Sequence, residues 1–174
     1  MLVDILGRRD LFSFPKSVYA VFDALNAAIG DRREALIVDV AAITDLKAYA
    51  AKVQAGADAA MTQYFYSGAA YLRFVDEARR LGADVPVVPG IMPITSSTQL
   101  MRFSDACGAE IPRWVRLRLQ GFGDDVASIR AFGLDVVTAL CERLRAEGAP
   151  ALHFYTMNQS TATLEISRRL GLLR

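Results

Sequence analysis

Lys52-Val-Gln-Ala-Gly-Ala-Asp-Ala-Ala-Met-Thr-Gln-Tyr-Phe65 is the stretch on which the fold turns. Its first part closes a helix, and Gly56 is the exit residue. Its second part, Ala59 to Phe65, is a short and mostly apolar run of strand length. A helix that turns at glycine into a buried strand is the second half of a βαβ unit.

Reading towards the N-terminus, Ala35-Leu-Ile-Val-Asp-Val-Ala-Ala42 is another nearly continuous apolar run, as buried parallel strands are. Thr44 can cap the helix that follows, and Leu46, Tyr49, Ala50 and Val53 share one of its faces. An earlier helix is predicted from Pro15 to Ile29, with Val18, Val21, Phe22 and Leu25 on its apolar face. Reading towards the C-terminus, Ala69 to Leu81 is a helix ended by Gly82, and Val85 to Gly90 is a strand that Pro86 and Pro89 shorten. Ser96 or Ser97 caps a helix running to about Cys107. A second helix opens at Pro112, and a longer one runs from Asp124 to about Glu147. Ala151 to Thr156 is a strand, and Ser160 to Leu170 is a closing helix.

The class is therefore α/β, with about four parallel strands alternating with helices in a single domain, residues 1–174. Right-handed βαβ connections give a parallel sheet. A closed barrel takes eight strands, typically in about 250 residues. The periodicity alone leaves three architectures open: a half barrel, an open doubly wound sheet, or a fragment.

Composition narrows the function. The chain has 174 residues, 53% hydrophobic and 22% charged, and a net charge of +1. That balance gives no electrostatic case for a nucleic-acid partner or an acidic membrane surface. No apolar run approaches the ~20 residues of a membrane helix, and the N-terminus lacks the order of a secretory signal, so a cytoplasmic protein is expected. Cys107 and Cys141 belong to no CxxC pair and read as reduced, buried thiols. One histidine and two distant cysteines cannot supply a zinc site, so no metal is expected. Gly121-Phe-Gly-Asp124 and Gly7-Arg-Arg lack the strand–loop–helix context of a nucleotide motif.

Several stretches in order give a more specific lead. Lys52 to Asp58 followed by Met61-Thr-Gln-Tyr-Phe65 resembles the K-x-x-A-G-A-(D/N)-x-x-(I/M)-T-Q-(F/Y)-F signature of methylenetetrahydrofolate reductases. Tyr71-Leu-Arg-Phe74 follows at the family spacing, and Val88-Pro-Gly-Ile-Met-Pro93 resembles the family's I-P-G-I-x-P strand end. Gln99 to Phe103, Ile111-Pro-Arg-Trp114 and His153-Phe-Tyr-Thr156 fall in family order. Residues 41–174 thus resemble the C-terminal half of that family's barrel, while residues 1–40 align with nothing recognisable. The resemblance implies a partial TIM-type (β/α) barrel with FAD at the C-terminal ends of its strands. It also implies reduction of the flavin by NAD(P)H and hydride transfer to 5,10-methylenetetrahydrofolate, giving 5-methyltetrahydrofolate for methionine synthesis.

Residue by residue, two readings stand side by side. Gln63 falls at a strand end, where barrel enzymes place working groups; its amide offers both a donor and an acceptor, and the family's glutamine there contacts folate. Gln99 and Phe103, four apart on one helix face, read alone as a solvated glutamine and a core phenylalanine; the family assigns them to substrate and to ring stacking. Lys52 reads as a solvated cation favoured late in a helix, or as a ligand of an FAD phosphate. Asp45 reads as a first-turn acid, or as a neighbour of the flavin's ribityl and phosphate region. The resemblance adds Thr62 to the cofactor contacts. His153 reads as a core histidine.

The chain also departs from the family. The strands carrying the general acid and much of the FAD pocket have no counterpart, and the Y-P-E-x-H-P-E-type loop is missing. Glu34, Asp39 and Glu110 are acids that no spacing selects as a replacement. Where the family reads T-L-N-R, this chain reads Thr156-Met-Asn-Gln159. Gln159 can hydrogen-bond a substrate's glutamate tail but brings no charge, a loss of about 1.5–3 kcal/mol. Three hypotheses follow: an oxidoreductase whose site a second copy or a second chain completes, a non-catalytic folate-binding protein, and a truncated fragment lacking the FAD cradle and general acid.

Overall fold

A computed structural model of the chain describes residues 37–40 and 46–173. The predicted helix from Pro15 to Ile29, the cap at Thr44, and Glu34 and Asp45 lie outside the described residues. The described order is β1 (Ile37–Val40), α1 (Leu46–Gln54), β2 (Ala59–Tyr64), α2 (Gly68–Arg80), β3 (Val87–Ile91), α3 (Ser97–Cys107), α4 (Arg113–Phe122), α5 (Val126–Ala146), β4 (His153–Phe154) and α6 (Thr161–Arg169).

The four strands form one sheet in the order β1-β2-β3-β4, every neighbouring pair parallel. Each crossover lands on the adjacent strand, so the order never reverses. A doubly wound sheet reverses its strand order at a switch point; the described strands show none, and their order is consistent with an arc of a barrel.

The helices follow the sequence signals closely. The Ser96 side chain accepts from the Gln99 N–H at 3.3 Å and starts α3, and Asp125 accepts from the Ser128 N–H at 3.1 Å and starts α5. Gly108 ends α3 in the left-handed conformation, with φ of 71°. Leu100, Leu119, Leu144 and Ile166 are fully buried, so one core runs through α3, α4, α5 and α6. Gly133 lets α5 lie against the chain just after β3: a Cβ there would fall on the Ile94 carbonyl and 2.8 Å from the Ile94 Cβ. Among the described residues no helix is long and apolar enough to cross a membrane. Cys141 is buried and Cys107 partly buried, both as free thiols, and burial pushes the Cys141 thiol up to about 12.

Two strand expectations need correction. The third strand begins at Val87, not Val85, because Pro86 stands outside it and contributes only a carbonyl, which accepts from the Ala60 N–H at 2.9 Å. The last strand pairs only over His153 and Phe154, not Ala151 to Thr156. Pro89 is the cause. It lies within β3 but has no N–H to offer its neighbour, so the β3–β4 ladder opens at Gly90 and His153.

Candidate functional site

The site grows from a break in the β2–β3 ladder. Ala60 pairs with Val87 and Met61 with Val88, and then the register slips so that Tyr64 faces Gly90. A slip of this kind leaves backbone groups without ladder partners. Side chains take them up here. The Gly90 N–H donates to Thr62 Oγ1 at 2.9 Å, and the Tyr155 O–H donates to the Thr62 carbonyl at 3.1 Å. Gln63 Oε1 accepts from the Tyr64 N–H at 3.0 Å. Position 90 must be glycine for this arrangement, since a Cβ there would overlap the Thr62 carbonyl and come within 2.8 Å of the Tyr155 ring.

Beyond that lock the C-terminal edge of the sheet opens into a shallow cleft, continuous with solvent. Met92 and Pro93 leave β3 along its floor. Tyr155, Thr156 and Met157 leave β4 along one wall, and Gln159 and Ala162 continue it into α6. The other wall is the face of α3 bearing Ser96, Gln99, Leu100 and Phe103, spaced at i, i+3, i+4 and i+7 as one helix face requires. The Ser96 cap fixes where that face begins. Ligands of parallel α/β sheets bind at this edge.

Gln159 is aimed by an unusual turn. Met157 and Asn158 both have positive φ, 49° and 60°, and the Gln159 N–H closes the turn onto the Thr156 carbonyl at 2.8 Å. Asparagine tolerates this conformation; methionine adopts it rarely and at a cost. Every side chain lining the cleft is uncharged: amides, hydroxyls, rings, thioethers and aliphatics.

Behind α3 a second polar cluster supports the wall. Tyr64 Oη lies 3.0 Å from Ser104 Oγ and accepts from Cys107 Sγ at 3.4 Å; burial raises the Tyr64 hydroxyl to about 12, so it stays protonated. The Tyr66 O–H donates to the Met92 carbonyl at 3.1 Å and holds the cleft floor. His153 stands edge-on to Tyr155 at 4.7 Å, and burial lowers its pKa to about 4, so it is neutral at pH 7. The structure thus places it in the sheet rather than on the cleft.

Of the seven residues picked out from the sequence, the structure gathers Gln99, Phe103 and Gln159 in one cleft. Phe103 also packs against the hydrophobic core, so its two readings are both realised. Gln63 is half-buried, outside the cleft lining, with its amide oxygen spent on the register break. Thr62 is fully buried and its hydroxyl oxygen serves Gly90. Lys52 is exposed in the last turn of α1, where its carbonyl accepts from Ala57 just before β2 begins, at the sheet edge away from the cleft. Asp45 lies outside the described residues. For the candidate acids, Asp39 is within β1 and Glu110 is exposed beyond the far end of α3. Among the described residues no three His, Cys, Asp or Glu side chains gather as a metal site would need.

The sequence reading missed Tyr155, Thr156 and Ser96 as site residues. The signal for Tyr155 was its position just after the last strand, at the C-terminal edge where parallel α/β sheets place their ligands.

Comparison with known proteins gives a consistent result. Residues 37–171 match the family model described as Methylenetetrahydrofolate reductase. The chain is 35% identical over 120 residues to the 5,10-methylenetetrahydrofolate reductase of Escherichia coli, covering 69% of this chain and 40% of that protein. It is 34% identical over 151 residues to a probable methylenetetrahydrofolate reductase (NADH) of Oryza sativa, covering 87% of this chain and 24% of the relative. The chain therefore spans about two fifths of the bacterial relative and about a quarter of the plant one. A solved structure of an uncharacterized Clostridium thermocellum protein, which binds two copies of 5-methyl-5,6,7,8-tetrahydrofolic acid, superposes with a TM-score of 0.52. The sequence identity is 17%, over 74% of this chain and 48% of that one. At that identity the likeness is one of fold.

Proposed function

Because this chain belongs to the methylenetetrahydrofolate reductase family, we propose that its cleft is the folate-binding wall of a reductase that converts 5,10-methylenetetrahydrofolate to 5-methyltetrahydrofolate. The reading places the protein in cytoplasmic one-carbon metabolism that supplies methionine synthesis. One observation carries it: Gln159, some 56 residues beyond Phe103, joins Gln99 and Phe103 of α3 in lining one uncharged cleft at the edge where barrel enzymes bind ligands. A pterin is flat, neutral and rich in hydrogen-bonding groups along its rim. Phe103 and Tyr155 offer ring faces, Gln99 a paired donor and acceptor, and Thr156 and Ser96 hydroxyls.

The family implies a flavin, with NADH as reductant in relatives so named. Reduced flavin would supply the hydride. The described residues do not by themselves fit a flavin dinucleotide. Thr62 is sealed, Lys52 stands at the opposite edge, and the cleft lining offers no cation for a pyrophosphate. In this reading the cofactor's cradle is completed outside the described arc, by a second copy or another chain, and the arc closes into a full (β/α) barrel with it.

The same mismatch favours a second reading, a folate-binding protein without reductase activity. The test is one purified sample. It is titrated with 5-methyltetrahydrofolate by quenching of Trp and Tyr fluorescence. It is also mixed with excess FAD, desalted, and its visible spectrum recorded. Folate binding with retained flavin absorbance supports the reductase. Folate binding in a colourless protein supports the second reading. Absence of folate binding overturns both.

A further inference from the structure

An uncharged cleft suits the ring of a folate and leaves its arm unaccounted for. A folate is a neutral bicyclic head on a p-aminobenzoyl spacer ending in one or more glutamates, so the arm carries at least two carboxylates. The arm must leave by the mouth of the cleft, where Gln159 offers only a neutral amide. A carboxylate arm held at a protein surface without a cation forfeits its charge-assisted contacts.

Arg102 is the cation placed to meet it. It lies on α3 beside Phe103, and its Cζ stands 5.3 Å from the centre of the Phe103 ring, over the side chain that lines the cleft. Helical side chains lean towards the N-terminus of their helix, and the N-terminal end of α3 is its cleft end. Arg102 is exposed, and none of the ion pairs found among the described residues uses it. Cation–π attraction to a ring restrains a guanidinium while leaving its N–H fork free for a carboxylate, and lysine has no such fork.

We propose that Arg102, held over the ring of Phe103, is the specificity residue that holds the carboxylate arm of the folate, so that one aromatic ring couples recognition of the head to recognition of the tail. The inference rests on the folate reading above and deepens it. Arm recognition then runs along α3 and does not require a cation at position 159.

The test compares two ligands that differ only in the arm: folic acid and pteroic acid amide, whose benzoyl group ends in a neutral amide in place of the glutamate. Wild-type protein binds folic acid more tightly than the amide, and the difference shrinks as salt is raised, because the contact is exposed. R102Q lowers affinity for folic acid roughly three- to tenfold and leaves the amide unchanged. R102K recovers only part of the loss. Matched far-UV circular dichroism and thermal midpoints show that the fold is intact. R102Q binding folic acid as wild type does overturns the inference alone; an equal loss for both ligands also overturns it, since that marks a structural effect. Wild-type protein that binds neither ligand overturns the folate reading together with it.

Discussion

The ends of β2 and β4 lie at the same edge of the same sheet, and they are built to opposite specifications. At the end of β2 three polar groups of the register break are spent inside the protein. Thr62 Oγ1 is given to Gly90, the Thr62 carbonyl to Tyr155, and the Gln63 amide oxygen to Tyr64. At the end of β4 the chain turns out through Met157 and Asn158, and Thr156 and Gln159 face an open cleft. The stretch most diagnostic of the family, Met61 to Phe65, is therefore largely scaffold within the described arc. The groups free to meet a ligand sit on α3 and on the loop after β4. A closed polar lock makes a rigid platform, and rigidity is what a neighbouring open site needs to keep its side chains aimed.

The largest effect should come from breaking the closed region. Gly90→Ala puts a methyl group onto the Thr62 carbonyl and within 2.8 Å of the Tyr155 ring, neither of which can retreat without opening the ladder. Overpacking against backbone is expected to cost about 3 kcal/mol. Urea unfolding should show a lower midpoint, and folate binding should be lost as well, because Tyr155 is displaced from the cleft wall. A variant of wild-type stability would mean that the lock is not rigid.

A matched pair of substitutions sharpens the contrast. Thr62→Val keeps the shape but removes the acceptor of the Gly90 N–H, a buried group. Its stability should fall by about 1–2 kcal/mol while folate affinity, measured on the folded fraction, stays near wild type. Gln99→Ala removes a partly exposed cleft side chain whose backbone, not side chain, takes part in the α3 cap. Its stability should move by about 0.5 kcal/mol or less while folate affinity drops about tenfold. If Thr62→Val weakened binding without changing stability, Thr62 would be a ligand contact after all.

How much of this could be read from the residues divides along physical lines. The described helices and three of the strands were legible because their signals are local: continuous apolar runs, Ser96 as a cap, Gly82 as a stop. The grouping of Gln99 with Phe103 follows from helical spacing alone. Gln159 joins them through tertiary folding, which no spacing foretells, and only the family resemblance pointed to it. The register break was not legible, since nothing in Met61-Thr-Gln-Tyr64 signals a bulge, and so Thr62 and Gln63 look like site residues when their acceptors serve the fold. The length of β4 was misread for a different reason. Its own sequence is a good strand, but its partner carries Pro89, and a missing donor on one strand delays the start of the other. Lys52 could have been placed from topology: a crossover helix carries the chain back to the edge where the next strand starts, so a residue in its last turn stands away from the strands' C-terminal ends.

The smallest expected effect is a pH dependence tied to the joint between the two regions. His153 pairs with Gly90 in the ladder and packs edge-on against Tyr155, which is bonded to Thr62 on one side and lines the cleft on the other. Burial lowers its folded pKa to about 4, whereas the unfolded value is the ordinary one near 6.5. Between those two values the unfolded chain binds the extra proton and the folded chain does not. Stability is therefore unaffected above about pH 7, falls as pH drops below 6.5, and levels off below 4. With allowance for partial exposure, the loss by pH 5.5 is on the order of 1 kcal/mol. Thermal midpoints from pH 7.5 to 5 should decline, and His153→Gln, which cannot take up the proton, should flatten that decline. An equally steep decline in the variant would assign the acid sensitivity to carboxylates elsewhere. A flattened decline, with folate affinity falling in wild type over the same interval, would show that the closed lock and the open cleft are coupled through Tyr155.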